Sequence, residues 1–169
     1  MNIAILRDEF DSLIGTLLSV VTDDFDGLLK PSPLDVPIAV TRFPTTGAGR
    51  KSETFVSMRQ LAFTIQNEHA DRKGGLPWFK LGRFGNHRSG KGSLRNNANV
   101  ICVTGVEGGW DGGEISLGEA ERLVRADGIA ALFFPMPPST ESSPRWRIFA
   151  PLSAEREPQD RDRYFFAHS

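Results

Sequence analysis

The chain has 169 residues and a formal net charge of −1, with 39% hydrophobic and 24% charged residues, the composition of an ordinary soluble globular domain. No apolar run approaches the roughly 20 residues that a membrane-spanning helix needs, and the N-terminus lacks the basic start of a signal peptide. The single cysteine, Cys102, excludes an internal disulfide, which fits a reducing cytoplasm, and it is predicted to be a small core residue rather than a nucleophile.

The first half of the chain predicts two helices and one strand. Residues 3–21 place their apolar side chains on one face of an amphipathic helix. Val36 to Phe43 reads as a short strand, which is followed by a polar loop with two cations at residues 44–52. Residues 53–68 fit a second helix laid on the core, with Ser52 as its N-cap.

The second half predicts three strands and one helix. The strands are expected at residues 100–106, 129–134 and 145–152. Residues 107–115, with four glycines, read as a turn, and Ser116 with Glu119 forms a capping box that opens a helix. The order of these elements predicts an α+β fold, with an RRM-like antiparallel or mixed sheet and helices packed on one face. We expect a single domain over residues 1–169, ending in a charged tail from residue 154.

The basic stretch at residues 72–97 contains seven Lys or Arg and no Asp or Glu, so the rest of the chain carries −8. Three aromatic residues interleave with its cations, a mixture that can stack bases while neutralising phosphates. The predicted nucleic-acid-binding residues of this stretch are Trp78, Lys80, Arg83, His87, Arg88, Lys91 and Arg95. Two alternatives remain open: the stretch is a solvated glycine-rich loop, or its aromatics anchor it to the core.

One candidate pair of acidic residues follows the predicted strand at residues 100–106. Glu107 and Asp111 could share Mg²⁺ or Mn²⁺ and position a triphosphate, which makes them the candidate catalytic and metal-binding residues. Glu114 is a spare candidate in the same segment, and two acids in a glycine-rich turn also occur by chance. The three histidines, at positions 69, 87 and 168, lack the spacing of metal ligands.

Residues 85–92, GNHRSGKG, nearly match the phosphate-binding loop of NTPases. Gly92 stands where that motif has the hydroxyl residue that binds magnesium. The motif also needs a preceding apolar strand and a following helix, and neither is predicted here. A basic loop that offers backbone N–H groups to phosphate remains possible.

Two sequence blocks carry a family resemblance: LPWFKLGRFGNHRSGKGSLRNNANVICVTGVEGGWDGGEISLGEAERL and GIAALFFPMPPSTESSPRWRIFAPLS. Together they resemble the primase-polymerase domain of phage and plasmid replication proteins, in the archaeo-eukaryotic primase superfamily. The match spans about residues 76–153. It implies a nucleotidyl-transfer core, with metal-binding acids after the first strand and a nucleotide-contacting histidine after the next.

The resemblance transfers only in part to this chain. Glu107 and Asp111 match acidic positions of the family's E-x-D-Y-D turn, but Gly109 stands at its middle Asp, and Ser139 stands at the family's histidine. Arg145, Trp146 and Arg147 match a P-R-W-R block, so both arginines join the predicted nucleic-acid-binding residues. After Ser153 the resemblance stops, and the segment expected to bring the last catalytic acid is not recognisable.

These departures predict a truncated, degenerate primase-polymerase fold of a phage or mobile element that has lost, or nearly lost, catalysis. We expect it to bind nucleic acid, single-stranded or primer-template DNA, or a nucleotide, through the basic stretch in the cytoplasm of a bacterial host. One alternative is an inhibitor of a host defence complex of the anti-CRISPR type. The other is an active primase that uses Mg²⁺ or Mn²⁺.

Overall fold

The computed structural model describes residues 32–70, 73–137 and 139–160, which belong to one of the two units into which the chain divides, residues 32–169. Its strands are β1 (Ile38–Phe43), β2 (Ser52–Val56), β3 (Trp78–Lys80), β4 (Gly82–Phe84), β5 (Val100–Trp110), β6 (Leu132–Pro135) and β7 (Trp146–Arg156). Its helices are α1 (Met58–Gln66) and α2 (Leu117–Ala126). The helix predicted at residues 3–21 and the last nine residues of the tail lie outside the described residues.

The strands form two antiparallel sheets, with strand orders β2-β1-β3 and β4-β5-β7-β6. Because β5 and β6 each pair antiparallel with β7, they run parallel to each other, and α2 connects them. This is a split β-α-β unit with β7 as the inserted strand. The predicted α+β class is confirmed, and the strands are divided between two sheets rather than gathered in one.

Leu81, the single residue between β3 and β4, contributes to the main buried cluster, which also includes Ile38, Val40, Met58, Leu61 and Phe149. Two buried threonines connect the sheets by hydrogen bonds. Thr41 Oγ1 donates to the carbonyl of Gly82 at 2.7 Å, and Thr104 Oγ1 donates to the carbonyl of Ala39 at 2.6 Å. Both hydroxyls are thereby satisfied inside the core, where an unpaired polar group would be costly. In the described part of the chain, no helix is long and apolar enough to cross a membrane.

The strand predicted at Val36 to Phe43 is confirmed as β1, but the helix predicted at residues 53–68 was placed too early. Residues 52–56 form β2, whose Cα partners lie along β1 from Arg42 back to Ile38. The helix begins after Ser57, whose hydroxyl accepts from the backbone N–H of Gln60 while the Gln60 side chain accepts from the N–H of Ser57. This reciprocal capping box, rather than Ser52, defines the start of α1.

The turn predicted at residues 107–115 is wrong in its first part. Strand β5 continues through Glu107, Gly108 and Gly109 to Trp110, and these residues pair with β7 from Phe149 to Trp146. Glycine suits this part of β5 because side chains of β7 pack directly over it. A Cβ on Gly108 would come within 2.9 Å of Ile148 Cγ2. Glu107 therefore lies inside a paired strand and not at a strand end.

The helix predicted to open at Ser116 is confirmed as α2, with the Ser116 hydroxyl accepting from the N–H of Glu119 at 3.2 Å. The Glu119 carboxylate accepts from Arg122 instead of completing the predicted capping box. Gly128 follows the helix with a φ of 68°, the left-handed conformation that favours glycine at a helix end. Strand β7 extends to Arg156, so the charged tail predicted from residue 154 begins later than expected.

Candidate functional site

A cleft of about 320 Å³ opens between β3, β4, β5 and the loop that connects β4 to β5. Four of its polar or aromatic lining residues come from elements that are remote in sequence. They are Trp78, Lys80, Arg95 and Glu107, and the amides Asn96 and Asn97 also line the cleft. Its volume is at the lower end of the range for small-molecule sites, which is about 300–1,000 Å³. The cleft is therefore large enough for a group the size of a nucleobase with its sugar.

One wall of the cleft is an arginine stacked on an indole. The guanidinium carbon of Arg95 lies 3.9 Å from the centroid of the Trp78 ring, and Trp78 remains 39% exposed on β3. Arg95 Nη1 is buried and has no hydrogen-bond partner among the described residues. Burial lowers the pKa of the Arg95 guanidinium, and the carboxylate of Glu107 opposes that shift, but an arginine remains charged at any physiological pH.

The acid in the cleft is already bonded. The carboxylate of Glu107 forms an ion pair with the ammonium of Lys80 and accepts from the backbone N–H of Leu81 at 2.7 Å. Both side chains are more than two-thirds buried. The pair connects β5 to β3 across the cleft. Glu107 thereby neutralises Lys80, which the sequence analysis predicted to bind phosphate.

The basic loop, defined here as residues 85–99, is organised by the buried amide of Asn99. Its Oδ1 accepts from the backbone N–H of His87 at 2.7 Å, and its Nδ2 donates to the carbonyls of Gly85 at 3.0 Å and Leu94 at 2.6 Å. A Cβ on Gly85 would lie 2.9 Å from this Oδ1, so the close approach requires glycine. The loop is thus a defined structure around one amide.

The basic loop presents its charges to solvent. His87, Arg88 and Lys91 are exposed, and no acid occurs anywhere within residues 85–99. Arg83 on β4 differs, because it donates to the carboxylate of Glu53 at 2.9 Å, and this hydrogen bond raises the pKa of the guanidinium. Within the described residues, Arg88, Lys91 and Arg95 form no ion pair, so the loop keeps three unneutralised positive charges. A three-residue 3₁₀ turn, Asn97–Asn99, and then β5 follow residues 85–92, so the α-helix that an NTPase phosphate loop would require is not formed there.

A second group of predicted residues lies at the far end of β5. Arg147 is the Cα partner of Gly109, and its guanidinium donates to the carboxylate of Asp111 at 3.0 Å. A Cβ on Gly109 would lie 2.2 Å from Arg147 Nη1. The arginine side chain therefore occupies the space that an acidic side chain at position 109 would need.

The other residues of the resemblance have structural partners in this region. Ser139, at the family's histidine position, accepts from the backbone N–H of Arg145 at 3.0 Å, which fixes the loop before β7. The Trp146 indole donates to the carbonyl of Ile115 at 2.9 Å. Ser139 and Trp146 therefore make structural hydrogen bonds in this chain.

The geometry does not bring Glu107 and Asp111 to one metal ion. Four residues of extended chain place their Cα atoms on the order of 13 Å apart, and the two carboxylates bond different cations, Lys80 and Arg147. No group of three or more His, Cys, Asp or Glu among the described residues could hold a metal. The residues present do not fit the two-metal site that the resemblance implies.

Cys102 also lines the cleft, and its environment supports the predicted core role. It is 8% exposed, and burial raises the pKa of its thiol, so the reactive thiolate is disfavoured.

Of the nine residues predicted to bind nucleic acid, Trp78, Lys80 and Arg95 meet in the cleft. His87, Arg88 and Lys91 lie on the adjacent basic loop, whereas Arg83, Arg145 and Arg147 do not line the cleft. The sequence reading missed Asn96, Asn97 and Asn99. The run R-N-N-A-N could have drawn attention to them, because an uncharged amide cluster beside cations is typical of backbone organisation and base recognition.

Comparisons with protein-family models, with curated proteins and with solved structures found no match for this chain.

Proposed function

We propose that this protein binds nucleic acid, without catalysing its synthesis, through the cleft beside Trp78 and the basic loop at residues 85–99. The observation that carries the proposal is the stacking of Arg95 on Trp78 of β3, because Arg95 belongs to the same loop that presents three unneutralised cations. Aromatic rings and guanidinium planes stack bases, and cations without acidic partners neutralise phosphates.

The absence of catalysis is part of the proposal, and it is supported by the partners of the candidate acids. Glu107 is bonded to Lys80 and to Leu81, and Arg147 occupies the space at Gly109. A primer-synthesis assay with Mn²⁺ and Mg²⁺ is expected to give no product above background. Robust product that Glu107→Ala abolishes would establish the active primase instead.

Binding is measured by the fluorescence anisotropy of a labelled thymidine 12-mer between 50 and 200 mM KCl. Three phosphate contacts on a single strand predict a log–log salt slope of about −2, which is a loss of affinity of about 16-fold over that range. Lys91→Glu should weaken binding about eightfold or more at 50 mM, because one counterion-releasing contact is lost and a repulsive charge is added.

Arg125→Glu is the matched control for Lys91→Glu. Arg125 is exposed on α2, which packs against β6, at the opposite edge of the four-stranded sheet from β4. No binding at 50 mM, or equal effects of the two charge reversals, would refute nucleic-acid binding by the basic loop.

A protein-binding role, such as inhibition of a host defence complex, is a second candidate that one surface observation favours. Phe55 on β2 and Phe63 on α1 are 61% and 70% exposed, and exposed aromatic residues are enriched in protein interfaces. A pull-down from host lysate should recover a partner that Phe63→Ser releases and Lys91→Glu retains. Recovery of no stable partner would count against this candidate.

A further inference from the structure

The β1–β2 loop, residues 44–51, is interlocked with the basic loop. The backbone N–H of Leu94 donates to the carbonyl of Ala48 at 2.9 Å, and Arg88 Nη2 donates to the carbonyl of Gly49 at 3.1 Å. The ammonium of Lys51 donates to the carbonyl of Phe84, where the basic loop begins. The two loops therefore form one continuous surface.

An apolar contact and a strained residue hold this arrangement. Ala48 is fully buried in a cluster with Phe43, Phe84 and Leu94. Its φ of 49° lies in the left-handed region, which is unfavourable for a non-glycine residue. The conformation directs the Ala48 carbonyl to Leu94. The chain tolerates this strain at the junction of the two loops.

The cations at this junction are oriented without being neutralised. Arg88 and Lys51 donate hydrogen bonds to backbone carbonyls, and Arg95 Nη2 donates to the carbonyl of Thr46 at 3.5 Å. Neither loop contains an acid. The nearby carboxylates of Glu53 and Glu107 are bonded to Arg83 and Lys80.

The joined surface therefore carries five positive charges that form no ion pair with a described residue. They are Arg50, Lys51, Arg88, Lys91 and Arg95. If the junction existed only to hold the fold together, acidic partners would serve better, since five clustered like charges destabilise the folded state. A polyanion crossing both loops would compensate them all.

We propose that the β1–β2 loop is a second phosphate-binding segment, and that the two loops together carry the sugar–phosphate backbone of a single strand to the cleft. This rests on the proposed function and extends it in two ways. It adds Arg50 and Lys51 to the contacts, and it names the partner as single-stranded.

The preference for a single strand follows from the cleft. Its volume admits about one nucleotide, and its stacking wall, Arg95 on Trp78, is reached only by a base that has left its own stack. Stacking on an aromatic residue increases affinity by about fivefold or more per base. A duplex keeps its bases inside and meets only the cations.

The salt series described above tests this proposal with two further variants, Arg50→Ala and its control Arg125→Ala. Five contacts predict a slope of about −3.5 for the unmodified protein, hence a loss of about 130-fold between 50 and 200 mM. Arg50→Ala should reduce the magnitude of the slope by about 0.7 and weaken binding about eightfold at 50 mM. Arg125→Ala should match the unmodified protein.

Trp78→Ala should weaken binding of the single strand at least about fivefold at matched salt, and it should leave binding of a blunt duplex of the same length unchanged. A slope near −2 with Arg50→Ala indistinguishable from Arg125→Ala would overturn the two-loop surface while leaving nucleic-acid binding in place. An equal effect of Trp78→Ala on duplex and single strand would overturn the named partner. No binding at 50 mM would overturn the proposed function and this inference together.

Discussion

Replacement of Asn99 by leucine removes the amide around which the basic loop is built. Leucine has nearly the same volume but cannot make the three hydrogen bonds to His87, Gly85 and Leu94. A hydrogen bond inside a protein contributes about 1 kcal/mol net, and buried groups left without partners cost more. Because Asn99 is 3% exposed, water cannot replace the lost partners without opening the loop. We expect the free energy of unfolding to fall by about 3 kcal/mol.

Urea unfolding followed by tryptophan fluorescence measures this loss. With a denaturant slope of about 2 kcal/mol per molar, the midpoint should fall by about 1.5 M. Asn67→Leu is the matched control, because the Asn67 amide bonds the Phe63 carbonyl at the exposed end of α1. Its effect should stay within about 0.5 kcal/mol.

Hydrogen exchange localises the effect of Asn99→Leu. The backbone N–H of His87 donates to the Asn99 side chain, so its exchange should accelerate in the variant, whereas the N–H groups of β1 should follow only the global loss of stability. If Asn99→Leu and Asn67→Leu shift the urea midpoint equally, or if the His87 amide keeps its protection, the amide does not organise the loop.

Three further predictions concern the cleft, the strand contacts and a partly buried acid. Glu107→Gln should tighten binding of the thymidine 12-mer by about eightfold at 50 mM KCl, since it frees Lys80 for one more phosphate contact; unchanged or weaker binding in the anisotropy assay would contradict this. Gly105→Ala should destabilise the fold by about 1–3 kcal/mol in urea, because its Cβ would lie 2.3 Å from Leu81 Cδ1 and 2.7 Å from the Ala150 carbonyl oxygen. A Cβ on Gly118 of α2 would meet no atom within 4 Å, so Gly118→Ala should stabilise the fold by about 0.5–1 kcal/mol. If Gly105→Ala were the more stable of the two variants, the packing argument would be refuted. Burial raises the pKa of the Glu121 carboxyl, so the charged form is penalised in the folded state and this group's contribution to stability is lost as pH rises through its folded-state pKa. Glu121→Gln should therefore raise the urea midpoint at pH 7 more than at pH 4, and an equal gain at both values would contradict it.

The parts of the fold that sequence predicted well are those determined by neighbouring residues. Ser116 caps α2 through an N–H three residues ahead, and Gly128 ends that helix through its own backbone conformation. The errors arose where a distant strand decides. Residues 52–56 carry an apolar pattern compatible with a helix, and only their pairing with β1 makes them a strand.

The candidate site was predictable as a composition but not as an arrangement. The cations and Trp78 were identified from the basic stretch, and Trp78, Lys80 and Arg95 do meet in one cleft. The pairing of Lys80 with Glu107 could not be predicted, because β3 and β5 belong to different sheets and approach each other only in the folded chain. Gly108 and Gly109 suggested a turn, because no neighbouring residue in the sequence indicates that Ile148 and Arg147 pack over them.

The place of β7 in its sheet has a consequence for synthesis of the chain. β7 lies between β5 and β6, yet it is the last of the described strands to leave the ribosome. The 21 residues from Met136 to Arg156 take about 1–4 s to translate at 5–20 residues per second. During that interval one edge of β5 and one edge of β6 are unpaired, a condition that favours aggregation and chaperone binding. Expression yield should therefore depend on codon usage across residues 136–156 more than on codon usage elsewhere in the chain.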